Sequence, residues 1–176
     1  RWAPEQSREL YARMVMLLFF SLRGNVILWQ GEELGLTQVD IPFEKLQDPE
    51  AIANWPLTLS RDGTRTPMPW AADALNGGFS QAEPWLPLGD DHLARAVDVQ
   101  QDDNDSLLAL TKHLIVVRNA NEALLTGDLQ IVRAEGNLLV FERHSPTQHL
   151  LCAFNVGDKT TEYLPTQPDR WKVIES

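Results

Sequence analysis

The sequence predicts an α/β region followed by an all-β region. Near the start, a long apolar helix, a tight turn and a short apolar strand follow one another, as in half of a repeating β/α unit. In the last third of the chain the hydrophobic period changes to two, which is typical of antiparallel strands joined by turns. A long proline-rich stretch lies between the two patterns.

The composition indicates an ordered globular polypeptide and excludes several partners. Of 176 residues, 43% are hydrophobic and 23% are charged, so we do not expect disorder. The formal net charge of -10 argues against nucleic acid and against anionic membrane surfaces as partners. No apolar run reaches the length of a membrane span. The single cysteine, Cys152, excludes an internal disulfide and fits a reducing cytoplasm.

The α/β region begins with a helix predicted from about Pro4 to Leu22. Proline suits a first helical position, and Leu10, Met14 and Leu17 recur at helical spacing. Residues 26–29 read VILW, an unbroken apolar run that predicts a buried parallel strand. A second helix is predicted at about 106–121, with caps from Asn104 and Asp105.

The stretch from about residue 31 to 91 is predicted to be a long, mostly irregular loop. Seven prolines interrupt it, and only short helical turns are expected, near 49–54. Loops of this length are usually functional or disordered. The tryptophans Trp55, Trp70 and Trp85 indicate an ordered, packed loop. Trp70, Phe79 and Trp85 are expected to form a small core of this loop rather than a stacking surface for a ligand.

The all-β region is predicted to contain four strands. They lie at residues 129–133, 138–143, 149–155 and 171–174, with turn residues at 135–137 and 145–147. Such short, alternating strands predict an antiparallel sheet.

Two motifs together give the sequence a family resemblance. Residues 61–70 read RDGTRTPMPW, and they follow the segment VILWQGEELGL at residues 26–36. Guanidinium groups on a fixed loop are suited to binding oxygen-rich groups at several points. The pair of motifs resembles the α-glucosidase and oligo-1,6-glucosidase branch of the α-amylase superfamily of glycoside hydrolases.

The resemblance implies the C-terminal end of a (β/α)8 TIM barrel followed by an antiparallel β-sandwich. Residues 1–124 would supply the seventh helix, the last strand, the active-site loop and the eighth helix. Residues 125–176 would supply the sandwich domain or an incomplete part of it. Residues 1–5 resemble the stretch after the family's Asn-His-Asp motif. The nucleophilic Asp and the acid/base Glu would then lie upstream, so we expect no catalytic residue here and no activity from this chain alone.

The activity implied by the resemblance is retaining hydrolysis of α-glucosidic bonds from the non-reducing end. The substrate would be an α-glucoside or oligosaccharide, with no cofactor. The missing N-terminal part of the barrel, or self-association, would cover the apolar helix. Two alternatives are a noncatalytic carbohydrate-binding or assembly module, and a noncatalytic scaffold of the same fold such as the heavy subunits of amino-acid transporters.

The resemblance also assigns site residues. Arg61 would bind substrate, donating to a hydroxyl of the non-reducing glucose and pairing with an Asp that lies before residue 1. The competing interpretation is an ion pair with Asp62 or Glu32 that fixes the loop. Asp62, Arg65, Glu32 and Glu33 are expected to support the loop, with Arg65 pairing with Asp62 or Glu33. Adjacent carboxylates at a strand end point in opposite directions, so Glu32 and Glu33 cannot flank one glycosidic bond.

No metal site is predicted from the sequence. The four histidines, His92, His113, His144 and His149, show no metal-ligand spacing with cysteines or acids. Cys152 lies in an apolar strand, where an inert core position is expected.

Overall fold

A computed structural model describes residues 7–58 and 60–174. The helices are α1 (Arg8–Ser21), α2 (Pro49–Asn54), α3 (Val97–Gln100), α4 (Leu107–Ala120) and α5 (Glu122–Leu125). The strands are β1 (Asp128–Glu135), β2 (Leu138–His144) and β3 (His149–Asn155). Single 3-10 turns occur at Glu32–Leu34, Phe43–Lys45, Arg61–Thr64, Leu75–Gly78, Leu93–Arg95 and Pro168–Arg170. None of the helices in these ranges is both long enough and apolar enough to cross a membrane.

The chain divides into two compact units. The first contains Asn25–Val117 and α1 as far as Phe20, and the second contains Ser21–Gly24 and the residues from Arg118 onward. The boundary predicted between residues 124 and 125 stays a prediction.

In the first unit, the two long helices share an apolar cluster. Met16, Phe20 and Leu114 are its buried members, and Val26 and Leu28 pack against them. Both helices occur where the helical period predicted them, and the predicted start at Pro4 lies outside the described residues. Ser106 caps α4, because its Oγ accepts from the Ala109 amide at 3.0 Å; the prediction of Asn104 or Asp105 as caps was wrong.

The prediction of a strand at residues 26–29 was wrong for the described part of the chain. The segment has no regular secondary structure and belongs to no sheet. Its side chains alternate, with Val26 and Leu28 packed against the helices while Ile27 and Trp29 are 86% and 50% exposed. A parallel strand requires hydrogen-bonded neighbours on its edges, and the described residues supply none to this segment.

The long loop has an aliphatic core. Ile41, Leu46, Ala51 and Leu86 are buried together, with Val39 packed against them. The expectation that Trp70, Phe79 and Trp85 form this core was wrong, since their side chains are each about half exposed. Small aliphatic side chains fit between short turns more easily than indole rings do.

The second unit contains a three-stranded antiparallel sheet in the order β1-β2-β3. Gly136, at a φ of 57°, lies in the two-residue turn between β1 and β2. The first three predicted strands are confirmed, but the fourth, at residues 171–174, was wrong. Those residues are irregular and follow the turn Pro168–Arg170, and they pair with none of the three strands. The β-sandwich therefore stays a prediction.

A buried arginine joins the parts of this second unit. Arg143 is fully buried, and its guanidinium donates to the carbonyl oxygens of Ser21, Leu124 and Gly127 at 2.6, 3.1 and 3.0 Å. These carbonyls lie at or beyond helix C-termini, where intrahelical donors are lacking. Burial, together with the nearby Arg118, lowers the pKa of Arg143.

Candidate functional site

The centre of the candidate site is the 3-10 turn Arg61–Thr64. Ser60 begins it, because its Oγ accepts from the Asp62 amide at 3.0 Å. The Gly63 carbonyl accepts from the Val39 amide at 3.0 Å. A Cβ on Gly63 would lie 2.2 Å from the Val39 carbonyl oxygen, so only glycine allows this approach of two backbones.

Arg61 is held by Asp48, which precedes α2. The guanidinium donates from Nε to Asp48 Oδ2 at 3.0 Å and from Nη2 to Oδ1 at 2.5 Å. The Arg61 backbone amide donates to the same Oδ2 at 2.9 Å. The Asp48 carboxylate is fully buried, whereas the Arg61 side chain is 64% exposed. The loop therefore holds one edge of a guanidinium and leaves the rest of it accessible.

The electrostatics of this pair favour its charged form. Hydrogen bonds from the Arg61 guanidinium and backbone amide hold the pKa of Asp48 well below its usual range, against the opposing effect of burial. The same bond and the charge of Asp48 raise the pKa of Arg61. Asp48 also accepts from the Glu50 amide at 3.3 Å as the N-cap of α2.

Asp62 faces inward and organises the neighbouring backbone. Its Oδ2 accepts from the amides of Gln47 and Asp48 at 2.7 and 2.8 Å, and its Oδ1 accepts from Arg65 Nη1 at 3.2 Å. Burial alone would raise the pKa of Asp62, but these bonds and that with Ser60 hold it below its ordinary value. The Arg65 side chain is 38% exposed.

The two adjacent glutamates turn back onto the backbone that precedes them. Glu32 Oε2 accepts from the Trp29 amide and Glu33 Oε2 from the Gly31 amide, each at 2.9 Å. Gly31 and Gly35, which bound this 3-10 turn, have φ values of 88° and 68°, a conformation that favours glycine. The carboxylates thus fix the local turn.

Two side chains tie this turn to the arginine-bearing loop. Trp29 Nε1 donates to the Thr64 carbonyl at 2.8 Å, and Gln30 Nε2 donates to the Thr66 carbonyl at 3.1 Å. The segment after residue 28 and the end of the Arg61–Thr64 turn are therefore joined by direct hydrogen bonds.

The structure brings the predicted loop residues together, with one partner that the sequence analysis missed. Arg65 contacts Asp62, one of the two partners expected for it, while Arg61 contacts Asp48 and neither Asp62 nor Glu32 in the contacts described. A signal for Asp48 was present, because Asp followed by Pro49 is an N-cap with proline at the first helical position. The pairing across thirteen residues carries no sequence signature.

Comparison with known proteins identifies a family. The model of the α-amylase catalytic domain matches residues 1–127. A probable α-glucosidase of Rhizobium meliloti (strain 1021) is 41% identical over 167 residues, which cover 94% of this chain and 30% of that protein. A probable oligo-1,6-glucosidase of Bacillus subtilis (strain 168) is 31% identical, covering 84% of this chain and 30% of that protein.

Solved structures agree with the sequence relatives. An α-glucosyl transfer enzyme matches with a TM-score of 0.81 at 45% identity, covering 88% of this chain and 29% of that one. A trehalose-6-phosphate hydrolase of Bacillus licheniformis matches with a TM-score of 0.79 at 28% identity, covering 93% of this chain and 33% of that one. The chain spans about a third of the length of these relatives.

The catalytic-domain match covers α1 to α5, including the loop held by Asp48 and Asp62. It supports a parent domain with the TIM-barrel architecture that the resemblance implied. The chain belongs to the α-amylase family, and its residues 1–127 correspond to part of the catalytic domain of that family.

Proposed function

We propose that this chain is part of an enzyme that hydrolyses α-glucosidic bonds from the non-reducing end with retention of configuration. The observation that carries the proposal is the Arg61–Thr64 turn, which presents an anchored yet accessible guanidinium. Retaining glycosidases use two carboxyl groups about 5–5.5 Å apart. The carboxylates near the loop already accept hydrogen bonds from backbone amides or arginines; they belong to Asp48, Asp62, Glu32 and Glu33. We therefore propose that both catalytic carboxyl groups lie outside these 176 residues.

The proposed role of Arg61 is to donate to a hydroxyl of the bound glucose. The Asp48 carboxylate accepts from the Nε–H and from one N–H of Nη2. Three of the five guanidinium N–H donors of Arg61 therefore do not bond to this carboxylate. Two of these belong to Nη1 and could donate to sugar oxygens. Asp48 would act as the positioning residue that sets the angle of the fork.

A second candidate for the same role is Arg65. Only its Nη1 contacts Asp62, through one bond of 3.2 Å, so most of its donors are not used by this partner. Arg61 has the tighter anchor of the two, because its backbone amide and two guanidinium nitrogens share one buried carboxylate. The looser anchor of Arg65 would suit a sugar contact, with Arg61 then locking the loop, but the Arg61 side chain is the more exposed of the two, at 64% against 38%, and we assign the sugar contact to Arg61.

Steady-state kinetics in the complete enzyme test these roles. If Arg61 contacts the sugar, Arg61→Ala should lower kcat/KM roughly a hundredfold or more, and Arg61→Lys should not restore it because an ammonium lacks the fork. Arg61→Ala also leaves the buried Asp48 carboxylate without its charged partner, so the melting temperature of this variant should fall. Its kinetics should therefore be measured well below that melting temperature. Arg65→Ala with a comparable loss of kcat/KM and an unchanged melting temperature would assign the contact to Arg65 instead.

The absence of catalytic carboxyl groups is tested separately. The chain alone should release no 4-nitrophenol from 4-nitrophenyl α-glucoside above a buffer blank. Turnover that survives purification and disappears on Glu32→Gln or Glu33→Gln would overturn the proposal, since it would place the catalytic acids within this chain.

One observation favours a second candidate activity, transfer of the glucosyl group to a sugar hydroxyl. The relative described as an α-glucosyl transfer enzyme is 45% identical to this chain. Both reactions share a glucosyl-enzyme intermediate and differ in whether water or an acceptor sugar attacks it. Product analysis of the complete enzyme with maltose separates them, since hydrolysis gives only glucose and transfer also gives longer saccharides.

The proposed partner is the remainder of the barrel, with self-association when it is absent. Leu10 on α1 is 71% exposed and Phe19 is 40% exposed, and Ile27 and Trp29 are also uncovered. Exposed apolar side chains that form a patch mark an interface, and we propose that these four do. Light scattering of the isolated chain should show association, and a monomer that persists on dilution would contradict this. A cytoplasmic location is part of the same proposal.

A further inference from the structure

Three metal-ligating side chains converge on one face of the β2–β3 hairpin. Glu142 and His144 lie two residues apart on β2, so they share a face of the sheet. His149 on β3 lies directly opposite His144, and Glu142 lies opposite Leu151, which makes His149 its diagonal neighbour. The pairing of β2 with β3 thus brings together three ligand side chains that the sequence spacing alone does not predict.

The distances within this group suit a small divalent cation. Glu142 Oε2 lies 3.0 Å from His144 Nε2 and 3.3 Å from His149 Nε2, and the three ligand atoms all lie within 4.8 Å of one another. Zinc binds imidazole nitrogen at about 2.0–2.1 Å, so two ligands of a tetrahedral ion are about 3.3 Å apart. Both measured edges lie close to that value.

The two rings are held in place by their surroundings. The His144 and His149 ring centroids are 3.9 Å apart, and Trp171 packs edge-on against His149 at 5.0 Å. Trp171 itself donates from Nε1 to the Thr166 carbonyl at 3.3 Å. Next to the rings, the hairpin is closed by the Ser145 amide donating to the Gln148 carbonyl at 2.9 Å. A site on paired strands is better fixed than one on a free loop.

The group is also accessible to an ion in solution. The side chains of Glu142, His144 and His149 are 23%, 37% and 46% exposed. Partial exposure leaves room for a water molecule as a fourth ligand. The competing interpretation is a pair of N–H···O hydrogen bonds, in which both imidazole Nε2 atoms donate to the same Glu142 oxygen. It needs no ion, so a metal titration separates the two interpretations.

We propose that Glu142, His144 and His149 bind a divalent transition-metal ion of the zinc class, which ties β2 to β3 beside their turn. Two imidazoles and one carboxylate suit zinc, copper and nickel, whereas calcium and magnesium prefer oxygen ligands throughout. The site contains none of the residues assigned to sugar binding, so the outcome of a metal-binding test does not depend on the proposed activity.

Calorimetric titration of the purified, chelator-treated protein with zinc chloride tests the proposal. We expect one saturable site that His149→Ala and His144→Ala each weaken roughly tenfold or more, since even outer-shell changes cost that much. His113→Ala is the matched control, because His113 is exposed on α4 and lies outside the group, and it should leave the affinity unchanged. Calcium should give no heat at this site.

A second measurement keeps the test decisive if a variant folds poorly. Cobalt added to the wild-type protein should give the intense visible absorption of a four-coordinate ion, and zinc should displace it. Circular dichroism checks that each variant keeps its strands. Equal zinc affinity in His149→Ala, His144→Ala and His113→Ala, or only the weak absorption of hydrated cobalt in the wild type, would overturn the proposal.

Discussion

The long loop and the three-stranded sheet are ordered by different forces. In the loop, Asp48 and Asp62 collect hydrogen bonds from backbone amides and from Arg61 and Arg65, around a small aliphatic core. In the sheet, three strands pair along their length, and large apolar side chains such as Phe141 and Phe154 are buried. One region depends on buried carboxylates and the other on strand pairing and apolar packing.

This difference has a functional meaning. A loop fixed by carboxylates can hold polar side chains at its surface at a defined angle, as Asp48 holds Arg61. The apolar packing that stabilises the sheet is non-directional. Sites that recognise hydroxyl-rich ligands need the first kind of order, because hydrogen bonds are directional.

The largest expected effect comes from the sheet. Phe141 is fully buried and its ring lies 5.8 Å from that of Phe154 in a stacked arrangement. Phe141→Ala should lower the free energy of unfolding by about 3–5 kcal/mol, measured by denaturant titration. The control is Val132→Ala, because Val132 is 45% exposed and should change stability by less than about 1 kcal/mol. Similar losses of unfolding free energy in Phe141→Ala and Val132→Ala would contradict stabilisation of the sheet by buried apolar side chains.

The next effect comes from the loop. Asp62→Ala removes the acceptor of the Gln47 and Asp48 amides, which should cost about 2–4 kcal/mol of unfolding free energy because buried donors are left without partners. Asp62→Asn keeps an acceptor oxygen and should cost less. Asp73→Ala, at an exposed aspartate of the same loop, is the control and should be neutral. A neutral Asp62→Ala would contradict the comparison.

A smaller effect is expected from acid. The folded protein holds the pKa of Asp48 and of Asp62 below the value of about 3.9 for an unfolded aspartate. Their stabilisation is therefore complete above about pH 4 and is lost as the pH falls through the folded values. Between about pH 6 and about pH 3, the melting temperature of the wild type should fall more steeply than that of Asp48→Asn. Parallel curves would show that Asp48 carries no such linkage.

Elements that depend on period were predictable from the sequence. The helical spacing predicted α1 and α4, and the change to a period of two predicted β1, β2 and β3 with their turns. The segment at 26–29 also reads as a strand, but strand formation requires a partner edge, which a local pattern does not supply. The fourth predicted strand, at 171–174, failed for a related reason, because it pairs with no edge of the three-stranded sheet.

The candidate site was predictable only in part. The motif at 61–70 pointed to the loop, and the Arg65–Asp62 contact lies within one helical turn, so both were visible locally. The Arg61–Asp48 pair was not, because thirteen residues of irregular chain separate its members. The group of Glu142, His144 and His149 depends on the register of β2 and β3, which the sequence spacing did not specify.

Amide hydrogen exchange tests most directly whether buried carboxylates order the loop. In the wild type, the amides of Gln47 and Asp48 should be protected by Asp62, and that of Arg61 by Asp48. In Asp62→Ala, the Gln47 and Asp48 amides should exchange at least roughly tenfold faster, while amides within β2 keep their wild-type rates. Asp73→Ala should leave all of them unchanged. Unprotected Gln47 and Asp48 amides in the wild type, or unchanged protection in Asp62→Ala, would contradict the account.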